Sequence, residues 1–509
     1  MSETTENLEE YPDRIRELYN GKTLFITGGT GFMGKVLIEK LLRMIEDVKI
    51  FLLVREKKGK LAKERIREIF AGPLFDMLKK QRGPQIINRV TAIEGDVMLP
   101  NLGISEENRK IIIEEVDIIF NCAATIRFDE GLKKAVLLNV RGTKFMLNLA
   151  KECKKLMCFV HVSTAYCHLN ERILYEKPYP PPADPHKVIE TIEWLSEDII
   201  DAITPQILGT IPNTYAFTKA LGEALAVEQK DNIPVCILRP SIVIPIWKEP
   251  IPGWTDNING PTGLLIGAGK GVIRTMYCQE KSYADYLPVD ILVNATLCIV
   301  WVYICKNDNK SKWIFNITSS SNYKITMEEI INMGRKVVNE RIPLNGVVWY
   351  PGGTMKRSKI VNYICFFLFH IIPALFVDSI LLLIGYKPIL CRVQKRVWKG
   401  FEVFEYYANN QWDFDNNESL AVRDKMLNPR ERKVYKLDGE GINYMDYFTK
   451  CTHAARLYIL NESDDTLPAA RRHMKVMWVV DKVCKMLFVG FVLYYLYQKI
   501  LSPLMTSIR

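Results

Sequence analysis

Tyr215 and Lys219 form the residue pair in this chain with the clearest capacity for proton transfer. They are four residues apart, so in a helix their side chains lie on one face. An ammonium group beside a phenol favours the phenolate and lowers the tyrosine pKa from about 10. Such a phenol can exchange a proton with a carbonyl oxygen while hydride reaches the carbon. Taken alone, the pair fits a solvated helix face equally well, because this spacing is common by chance.

Two hydroxyl residues, Ser163 and Thr164, precede this pair at the end of an apolar run, 159–162, that predicts a strand. The carboxyl ends of parallel strands are where such sheets bind their ligands. A hydroxyl at this position can donate a hydrogen bond to an oxyanion that develops during the reaction. Hydroxyl, phenol and ammonium together are far more specific than any one of them.

The segment 27–34, TGGTGFMG, predicts a phosphate-binding turn between a strand and a helix. Gly28 permits a tight turn, Gly31 lets the backbone approach a pyrophosphate, and Gly34 allows close packing of helix on strand. The phosphates would then face free N–H groups at the positive end of the helix. A glycine-rich motif by itself could be an ordinary loop, but its position between a strand and a helix predicts a dinucleotide site. The predicted contacts are Gly28, Thr30, Gly31, Phe32, Met33 and Gly34.

Arg55, at the end of the second predicted strand, indicates which dinucleotide is bound. Sites for NAD carry an Asp or Glu about 20 residues past the glycine motif to bind the ribose hydroxyls. A guanidinium suits the 2′-phosphate of NADP(H) instead. The adjacent Glu56 weakens this argument, and a surface arginine is the alternative. The sequence favours NADPH.

Residues after the next two predicted strands complete the cofactor site. Asp96 and Val97 are predicted to cap the adenine with a carboxylate and an apolar contact. Cys122 and Ala123 offer small side chains where the nicotinamide ribose must come close, and Thr125 is predicted to contact the cofactor as well. Packing alone is the alternative role for each of these positions.

The elements that must position these residues alternate between short apolar strands and amphipathic helices. The strands lack polar alternation, as expected for strands covered on both faces. This succession predicts an α/β fold with a doubly wound parallel sheet of the Rossmann type. The predicted strands are 22–27, 48–54, 90–94, 118–120, 159–162 and 235–238, and the predicted helices include 35–44, 141–152 and 215–229.

The composition is that of a globular protein of two or three domains. The 509 residues are 48% hydrophobic and 25% charged, which excludes a disordered or fibrous chain. The net charge of +10 suits a phosphorylated ligand or an anionic membrane surface as well as nucleic acid. The acidic N-terminus is no secretory signal, and the twelve cysteines form no CxxC pair. We therefore expect reduced, cytosol-facing thiols and no metal site.

These motifs resemble the extended short-chain dehydrogenase/reductase superfamily and, more narrowly, the fatty acyl-CoA reductase family. The narrower resemblance rests on TGGTGFMGKVLIEKLLR, HVSTAY, NTYAFTKALGE, RPSIV and GPTGLLIGAGKG, and it spans about residues 21–460, including WDFDN at 412–416. It implies a catalytic triad of Thr164, Tyr215 and Lys219. Thr164 is preferred to Ser163 because the superfamily's hydroxyl residue stands just before a small residue. The resemblance also implies that 239–241 borders the nicotinamide, with Pro240, Ser241 and Val243 among the cofactor contacts.

The resemblance implies a four-electron reduction of a long-chain acyl-CoA. One hydride converts the thioester to a hemithioacetal that expels CoA, and a second NADPH reduces the aldehyde to a primary alcohol. No cysteine stands in a Cys–His setting, which disfavours a covalent acyl-enzyme. NADPH, CoA and a membrane then account for the basic excess, and nucleic acid is not an expected partner. Two other functions stay open as alternatives, a hydroxysteroid-type dehydrogenase and a catalytically silent dinucleotide-binding scaffold. A homodimer stays open as the oligomeric state.

Two apolar stretches in the C-terminal third indicate membrane contact. The first, 360–386, is long enough to cross a bilayer, but His370, Pro373 and Asp378 interrupt it. This predicts either a kinked or re-entrant element at the membrane face or a buried helical hairpin along an acyl tunnel. The second, 486–497, lies between Lys485 and Lys499 and predicts a membrane anchor. The catalytic domain would face the cytosol on the endoplasmic reticulum, a lipid droplet or a peroxisome.

The predicted organisation has four consecutive parts. A polar segment, 1–20, precedes an NADPH-binding reductase domain, 21–357, that includes the substrate-binding loops and a small mixed region. A mainly helical C-terminal domain, 358–470, contains the hydrophobic hairpin 360–386, and a basic flank with the membrane anchor occupies 471–509.

Overall fold

The computed structural model describes residues 8–258, 260–306, 311–319 and 324–498, which belong to two compact units. Unit 1 is formed by residues up to 254 together with 283–325 and 410–442. Unit 2 is formed by 255–282, 326–409 and the residues from 443 onward. Lys499, the predicted flank of the membrane anchor, lies outside the described residues, as do the first seven residues of the predicted polar segment.

The elements of both units are numbered along the chain. The strands are β1 (Lys22–Thr27), β2 (Val48–Val54), β3 (Val90–Glu94), β4 (Ile118–Asn121), β5 (Cys158–Val162), β6 (Ile173–Leu174), β7 (Val235–Pro240), β8 (Ile242–Ile244), β9 (Thr275–Tyr277), β10 (Tyr286–Pro288), β11 (Ile314–Ile317), β12 (Thr354–Lys356) and β13 (Asp413–Phe414). The α-helices are α1 (Arg14–Tyr19), α2 (Phe32–Met44), α3 (Ala62–Ala71), α4 (Asp76–Arg82), α5 (Glu106–Glu115), α6 (Leu132–Val136), α7 (Gly142–Glu152), α8 (Pro185–Trp194), α9 (Glu197–Leu208), α10 (Thr214–Glu228), α11 (Pro261–Gly269), α12 (Val289–Cys305), α13 (Met327–Lys336), α14 (Lys359–Phe366), α15 (Ile372–Leu383), α16 (Leu390–Asn409), α17 (Asn417–Ala421), α18 (Pro429–Val434), α19 (Tyr444–Ala454) and α20 (Leu467–Leu496).

Unit 1 is built on a seven-stranded sheet in the order β11-β7-β5-β4-β1-β2-β3. Every neighbouring pair in this sheet is parallel. The chain winds outward from β1 in both directions, which opens a crevice at the carboxyl ends of the central strands. The predicted doubly wound fold is therefore confirmed. The predicted strands 118–120 and 235–238 ended too early, since β4 includes Asn121 and β7 continues to Pro240.

The core of unit 1 lies on both faces of this sheet. β4, β5 and β7 are buried along their whole length, as predicted for strands covered on both sides. The apolar helix α12 is buried along nearly its whole length and packs against α2. Its hydrophobicity is therefore explained by the protein core. All twelve cysteines are free thiols in this structure.

Unit 2 contains the first apolar stretch as one helix. α14, a π-helical turn (Phe367–Ile371) and α15 follow one another without a break, and the π turn lies just before Pro373, where the helix loses a backbone donor. This helix, Lys359–Leu383, is long and apolar enough to cross a membrane. Most of its large apolar side chains are exposed, so the alternative of a buried hairpin within 360–386 is wrong. The hairpin partner of this helix is α16, which begins only after residue 386.

Candidate active site

The glycine turn after β1 fits closely against the end of β4. Gly28 has a φ of +72°, and a Cβ on it would lie 2.7 Å from the carbonyl oxygen of Cys122 and from the backbone nitrogen of Ala123. A Cβ on Gly34 would overlap the carbonyl oxygen of Gly28. Any side chain at either position would therefore displace the backbone of the turn.

The helix that follows the turn offers unpaired donors to a ligand. Gly31 is the N-cap of α2 and has no side chain to bond the first-turn N–H groups. Thr30 lies half-buried in the turn, and Phe32 and Met33 open the helix. The Phe32 ring lies 5.8 Å from that of Trp254. A side-chain-free cradle at the positive end of a helix fits the pyrophosphate of a dinucleotide.

Two guanidinium groups lie together where β2 ends. Arg55 Nη1 is 3.6 Å from Asp96 Oδ2, and the other carboxylate oxygen of Asp96, Oδ1, accepts a hydrogen bond from Met98 N at 3.0 Å. Arg65, on α3, donates to the carbonyl oxygen of Arg55 at 2.7 Å. Burial and then the adjacent Arg55 charge lower the pKa of Arg65. Sequence reasoning missed Arg65 because no motif marks a helix residue that folds back onto a strand end.

The structure brings Thr164, rather than Ser163, to the phenol of Tyr215. Thr164 follows β5, is buried, and forms a hydrogen bond with Tyr215. Its hydroxyl also donates to the carbonyl oxygen of Pro240 at 3.4 Å. The Ser163 hydroxyl instead lies 3.9 Å from the sulfur of Cys167. The geometry therefore favours Thr164 as the hydroxyl that acts with Tyr215.

Lys219 lies one turn after Tyr215 on α10 and is buried. Its Nζ donates to the carbonyl oxygen of Val162 at 2.7 Å, at the end of β5. Burial raises the pKa of the Cys122 thiol to about 12, and the Lys219 charge opposes that rise. The ammonium group is thus near the carboxyl ends of both β4 and β5, where the predicted cofactor residues lie.

Burial controls the protonation of both residues of this pair. It raises the pKa of Tyr215 to about 12, and the hydrogen bond with Thr164 opposes the rise only in part. It lowers the pKa of Lys219 to about 8. The expected net lowering of the Tyr215 pKa is therefore wrong, because desolvation of the phenolate outweighs the stabilisation that the Lys219 ammonium can give it. The phenol is protonated at neutral pH, which is the form that can donate a proton to a reduced carbonyl.

Asn139 connects the segment after β4 to α10, and the sequence contains no motif that marks it. It lies in a π turn (Leu137–Arg141) and accepts a hydrogen bond from Thr125 N at 2.9 Å. Its amide also donates to Thr218 Oγ1 at 2.9 Å. A Cβ on Gly222 would lie 2.6 Å from the carbonyl oxygen of Asn139, so that glycine allows the close approach. This network positions the helix that carries Tyr215 and Lys219.

Comparison with known proteins identifies the family. Two protein-family models, both described as male sterility protein, match residues 26–296 and 369–462. Fatty acyl-CoA reductase 1 of Rattus norvegicus is 39% identical over 464 residues, which cover 90% of this chain and 89% of that protein. The chain belongs to the fatty acyl-CoA reductase family. Fatty acyl-CoA reductase wat of Drosophila melanogaster is 36% identical over 95% of this chain and 93% of its own length.

Solved structures share the fold of this fatty acyl-CoA reductase family member at low sequence identity. The terminal R domain from the myxalamid PKS-NRPS biosynthetic pathway matches 87% of this chain and 92% of its own, with a TM-score of 0.59 and 17% identity. The reductase domain of a non-ribosomal peptide synthetase from Mycobacterium tuberculosis matches 90% and 98%, with a TM-score of 0.57 and 17% identity. Both comparisons support the Rossmann-type architecture.

A buried ion pair supports α10 of this reductase from behind the site. Glu223, one turn after Lys219, lies 2.6 Å from Arg239 on β7, and both side chains are almost fully buried. His168 Nε2 lies 3.3 Å from the same carboxylate. Cys167, His168 and Glu223 are close enough to form a metal-ligand set by distance. Arg239, however, bonds both oxygens of the Glu223 carboxylate, which accounts for the cluster without a metal ion.

The Arg239 side chain is part of the buried ion pair, whereas the residues that follow it lie at the reductase site. The Arg239 side chain is directed into the ion pair and donates to the carbonyl oxygens of Tyr175 and Lys177 at 2.9 Å. Pro240 contacts Thr164 through its carbonyl oxygen. The buried Ser241 hydroxyl has no hydrogen-bond partner among the described residues, and Val243, on β8, is half-buried. An unpartnered hydroxyl beside Thr164 fits a polar ligand such as the nicotinamide carboxamide.

Proposed function

We propose that this protein uses NADPH to reduce long-chain fatty acyl-CoA to a primary alcohol and free CoA, through an aldehyde. The observation that carries this proposal is the protonated Tyr215 phenol, hydrogen-bonded to Thr164. It lies on the helix whose Lys219 reaches the carboxyl ends of β4 and β5, and the glycine turn packs against the end of β4. The family supports the substrate class, since relatives at 36–39% identity are named fatty acyl-CoA reductases.

The chain's own residues would handle the oxygen that becomes negative during each reduction. NADPH, when bound, would supply the hydride that the acyl carbon receives. Tyr215 donates its proton to the carbonyl oxygen, and the Thr164 hydroxyl stabilises that oxygen while it carries charge. The Tyr215 phenolate then takes back the hydroxyl proton of the hemithioacetal, whose C–S bond breaks to release the CoA thiolate and leave an aldehyde. The same two residues would act on the aldehyde oxygen in the second step, because it also receives a proton as its carbon receives hydride.

Product analysis tests this proposal. Membranes that contain the full-length protein are incubated with NADPH and with acyl-CoAs of increasing chain length. We expect fatty alcohol and free CoA, with two equivalents of NADPH oxidised for each alcohol formed. Added fatty aldehyde should be reduced with one equivalent. If every acyl-CoA and aldehyde remains unchanged while a hydroxysteroid is oxidised with NAD, the protein is a dehydrogenase of a different class.

The activity should fall at alkaline pH because Lys219 loses its charge. The pKa of Lys219 is about 8, so the side chain is an ammonium below this pH and neutral above it. The ammonium stabilises the Tyr215 phenolate left after proton transfer. We expect kcat/KM for acyl-CoA to be level below pH 8 and to fall about tenfold for each further pH unit, as for loss of one proton. Lys219→Arg, which keeps its charge, should remove the fall; a wild-type profile that stays level to about pH 10 contradicts the role.

Arg55 and Arg65 should set the preference for NADPH over NADH. Each charge-assisted contact to the 2′-phosphate is worth about 1.5–3 kcal/mol, so Arg55→Ala or Arg65→Ala should raise the KM for NADPH about tenfold or more. The KM for NADH should stay within about twofold, because NADH lacks that phosphate. Arg67→Ala is the matched control, since Arg67 lies exposed on the same helix. Equal losses with both cofactors would show that these arginines do not read the 2′-phosphate.

We propose further that the end of α20 anchors the protein in a membrane with the catalytic domain in the cytosol. The first part of this helix is held within unit 2, where the buried Asp481 accepts a hydrogen bond from Trp349 Nε1 at 2.7 Å and pairs with Lys485 at 2.6 Å. Beyond Lys485 the residues 486–497 are all exposed, and most are large and apolar. The tyrosines of this segment suit a membrane–water interface. Photolabelling of the full-length protein in vesicles by a phospholipid with a photoactivatable acyl chain tests the anchor. We expect label in 486–497, and an unlabelled segment contradicts the anchor.

A further inference from the structure

Lys359–Leu383 and α16 form an antiparallel helical hairpin within unit 2. Near the middle, His370 Nδ1 and Gln394 Oε1 lie 2.9 Å apart. Further from the turn, the rings of Phe366 and Trp398 are 4.8 Å apart. At the base, Lys359 pairs with Glu405 at 2.6 Å. The two arms are therefore joined from the turn to the base.

The turn of this hairpin is held by a buried carboxylate. Asp378 accepts hydrogen bonds from the backbone nitrogens of Ile389, Leu390 and Cys391 at 2.8–3.0 Å. These are the N–H groups that the start of α16 would otherwise leave unpaired. The charge of Asp378 is thus used inside the hairpin, and the turn has a defined conformation.

The hairpin tip, residues 382–389, is the most exposed apolar part of the hairpin. Leu383 is 86% exposed, which is more than for any other large apolar side chain in the described residues. The other exposed apolar residues of the tip are Leu382, Ile384, Tyr386 and Ile389. A contiguous apolar surface of this kind indicates a contact with another apolar phase.

Exposed cations surround the tip. Lys387 lies within it, and the first turns of α16 carry Arg392, Lys395, Arg396 and Lys399, all of them exposed. The sequence contains no Asp or Glu between residues 379 and 401. A cationic surface beside an apolar one matches a membrane leaflet with anionic headgroups, which attract Lys and Arg side chains near the surface.

Polar contacts along Lys359–Leu383 argue against a simple crossing of the bilayer by this helix. Asn362 accepts a hydrogen bond from Thr275 Oγ1 at 2.8 Å. His370 Nε2 accepts from the backbone nitrogens of Arg274 and Thr275 at 3.0 and 3.2 Å. Insertion of the whole helix into lipid would break these bonds without replacing them. The tip can enter the membrane while these contacts are kept.

We propose that the hairpin tip inserts into the cytosolic leaflet of a membrane and that the cations of α16 bind anionic phospholipid headgroups around it. This contact is independent of the proposed reduction and of the C-terminal anchor. Shallow insertion of about 5–10 Å would bring the apolar tip into the acyl boundary and leave the basic helix at headgroup level. It would give the protein a second membrane contact and orient unit 2 on the surface.

Lipid photolabelling of the full-length protein tests the proposal. The protein is reconstituted in phosphatidylcholine vesicles with and without phosphatidylserine, together with a phospholipid that carries a photoactivatable acyl chain. Mass spectrometry then locates the labelled peptides. We expect label in 382–389 and none in 402–409 at the hairpin base, with several-fold more tip label when phosphatidylserine is present. Label in 486–497 reports the anchor in the same sample.

Two variants separate the contributions of the apolar tip and of the cations of α16 to membrane binding. Leu383→Asp should abolish label at the tip and leave label in 486–497 unchanged. The triple variant Arg392→Gln, Lys395→Gln, Arg396→Gln should reduce tip label in anionic vesicles to the level seen with phosphatidylcholine alone. The control for the triple variant replaces three exposed lysines of unit 1 and should leave the label at the tip unchanged. Its substitutions are Lys110→Gln, Lys151→Gln and Lys155→Gln.

Three outcomes would overturn the proposal. An unlabelled tip beside a labelled 486–497 segment means that the hairpin does not touch lipid. Label along the whole of 359–383 means that this helix crosses the bilayer. Equal tip label in neutral and anionic vesicles, or equal effects of the two triple variants, means that the basic face of α16 does not recognise lipid charge.

Discussion

Replacing Tyr215 by phenylalanine should reduce the rate of acyl-CoA reduction by about 10³, within the 10²–10⁴ range that general acids contribute. The phenol is protonated at neutral pH because burial raises its pKa to about 12, so it holds the proton that the carbonyl oxygen must receive. Phenylalanine keeps the ring, which packs 5.2 Å from the ring of Phe128, and removes only the hydroxyl. The loss should therefore be in kcat and not in folding.

The measurement combines alcohol formation with cofactor binding. NADPH binding, followed by its fluorescence, should stay within about threefold of wild type, since the glycine cradle does not involve the phenol. Tyr458→Phe is the control, because Tyr458 is an exposed tyrosine of unit 2. If Tyr215→Phe forms alcohol at a rate close to that of wild type, another group protonates the substrate and the proposed mechanism is wrong.

Replacing Glu223 by glutamine should lower the free energy of unfolding by about 3–5 kcal/mol, the range for breaking a buried ion pair. The change leaves the fully buried Arg239 guanidinium without a counter-charge. It also removes the carboxylate that raises the pKa of the nearby Lys219. The alkaline fall in kcat/KM should therefore begin at a lower pH in the variant than in wild type.

Denaturant unfolding of the variant, followed by tryptophan fluorescence, measures the stability. The double variant Glu223→Gln, Arg239→Met should recover much of the loss, since it buries no unpaired charge. Glu228→Gln is the matched control on the same helix, because its ion pair with His186 is exposed and should contribute less than about 1 kcal/mol. A Glu223→Gln protein as stable as the control would show that the pair does not stabilise α10.

Much of the fold follows from local features of the sequence. Short apolar runs predict six of the seven strands of the sheet, and the position of the glycine turn between a strand and a helix predicts that turn. The edge strand β11 is not predicted. Tyr215 and Lys219 were recognised because their spacing has a helical period. Glu223 extends the same four-residue spacing and was within reach of this reasoning. These features are local, since a strand, a turn or a helix face depends on neighbours within a few residues.

Residues that act across the fold were not predicted. Asn139 and Arg65 matter through partners that the chain brings close only when the sheet and its helices assemble. The protonation of Tyr215 was predicted in the wrong direction for the same reason. A lysine four residues away is visible in the sequence, but the atoms that bury the phenol come from distant segments. Desolvation is a property of the assembled site.

The two apolar stretches show the same difference between what the local sequence predicts and what depends on tertiary contacts. The sequence by itself determined that 360–386 and 486–497 are too apolar for an ordinary surface, because hydropathy depends on composition alone. Only the tertiary structure decided that the first stretch is one arm of a hairpin whose polar residues bond to α16 and to β9. The physical reason is that a buried Asp or His must find its partners, and those partners lie on elements that only folding brings together.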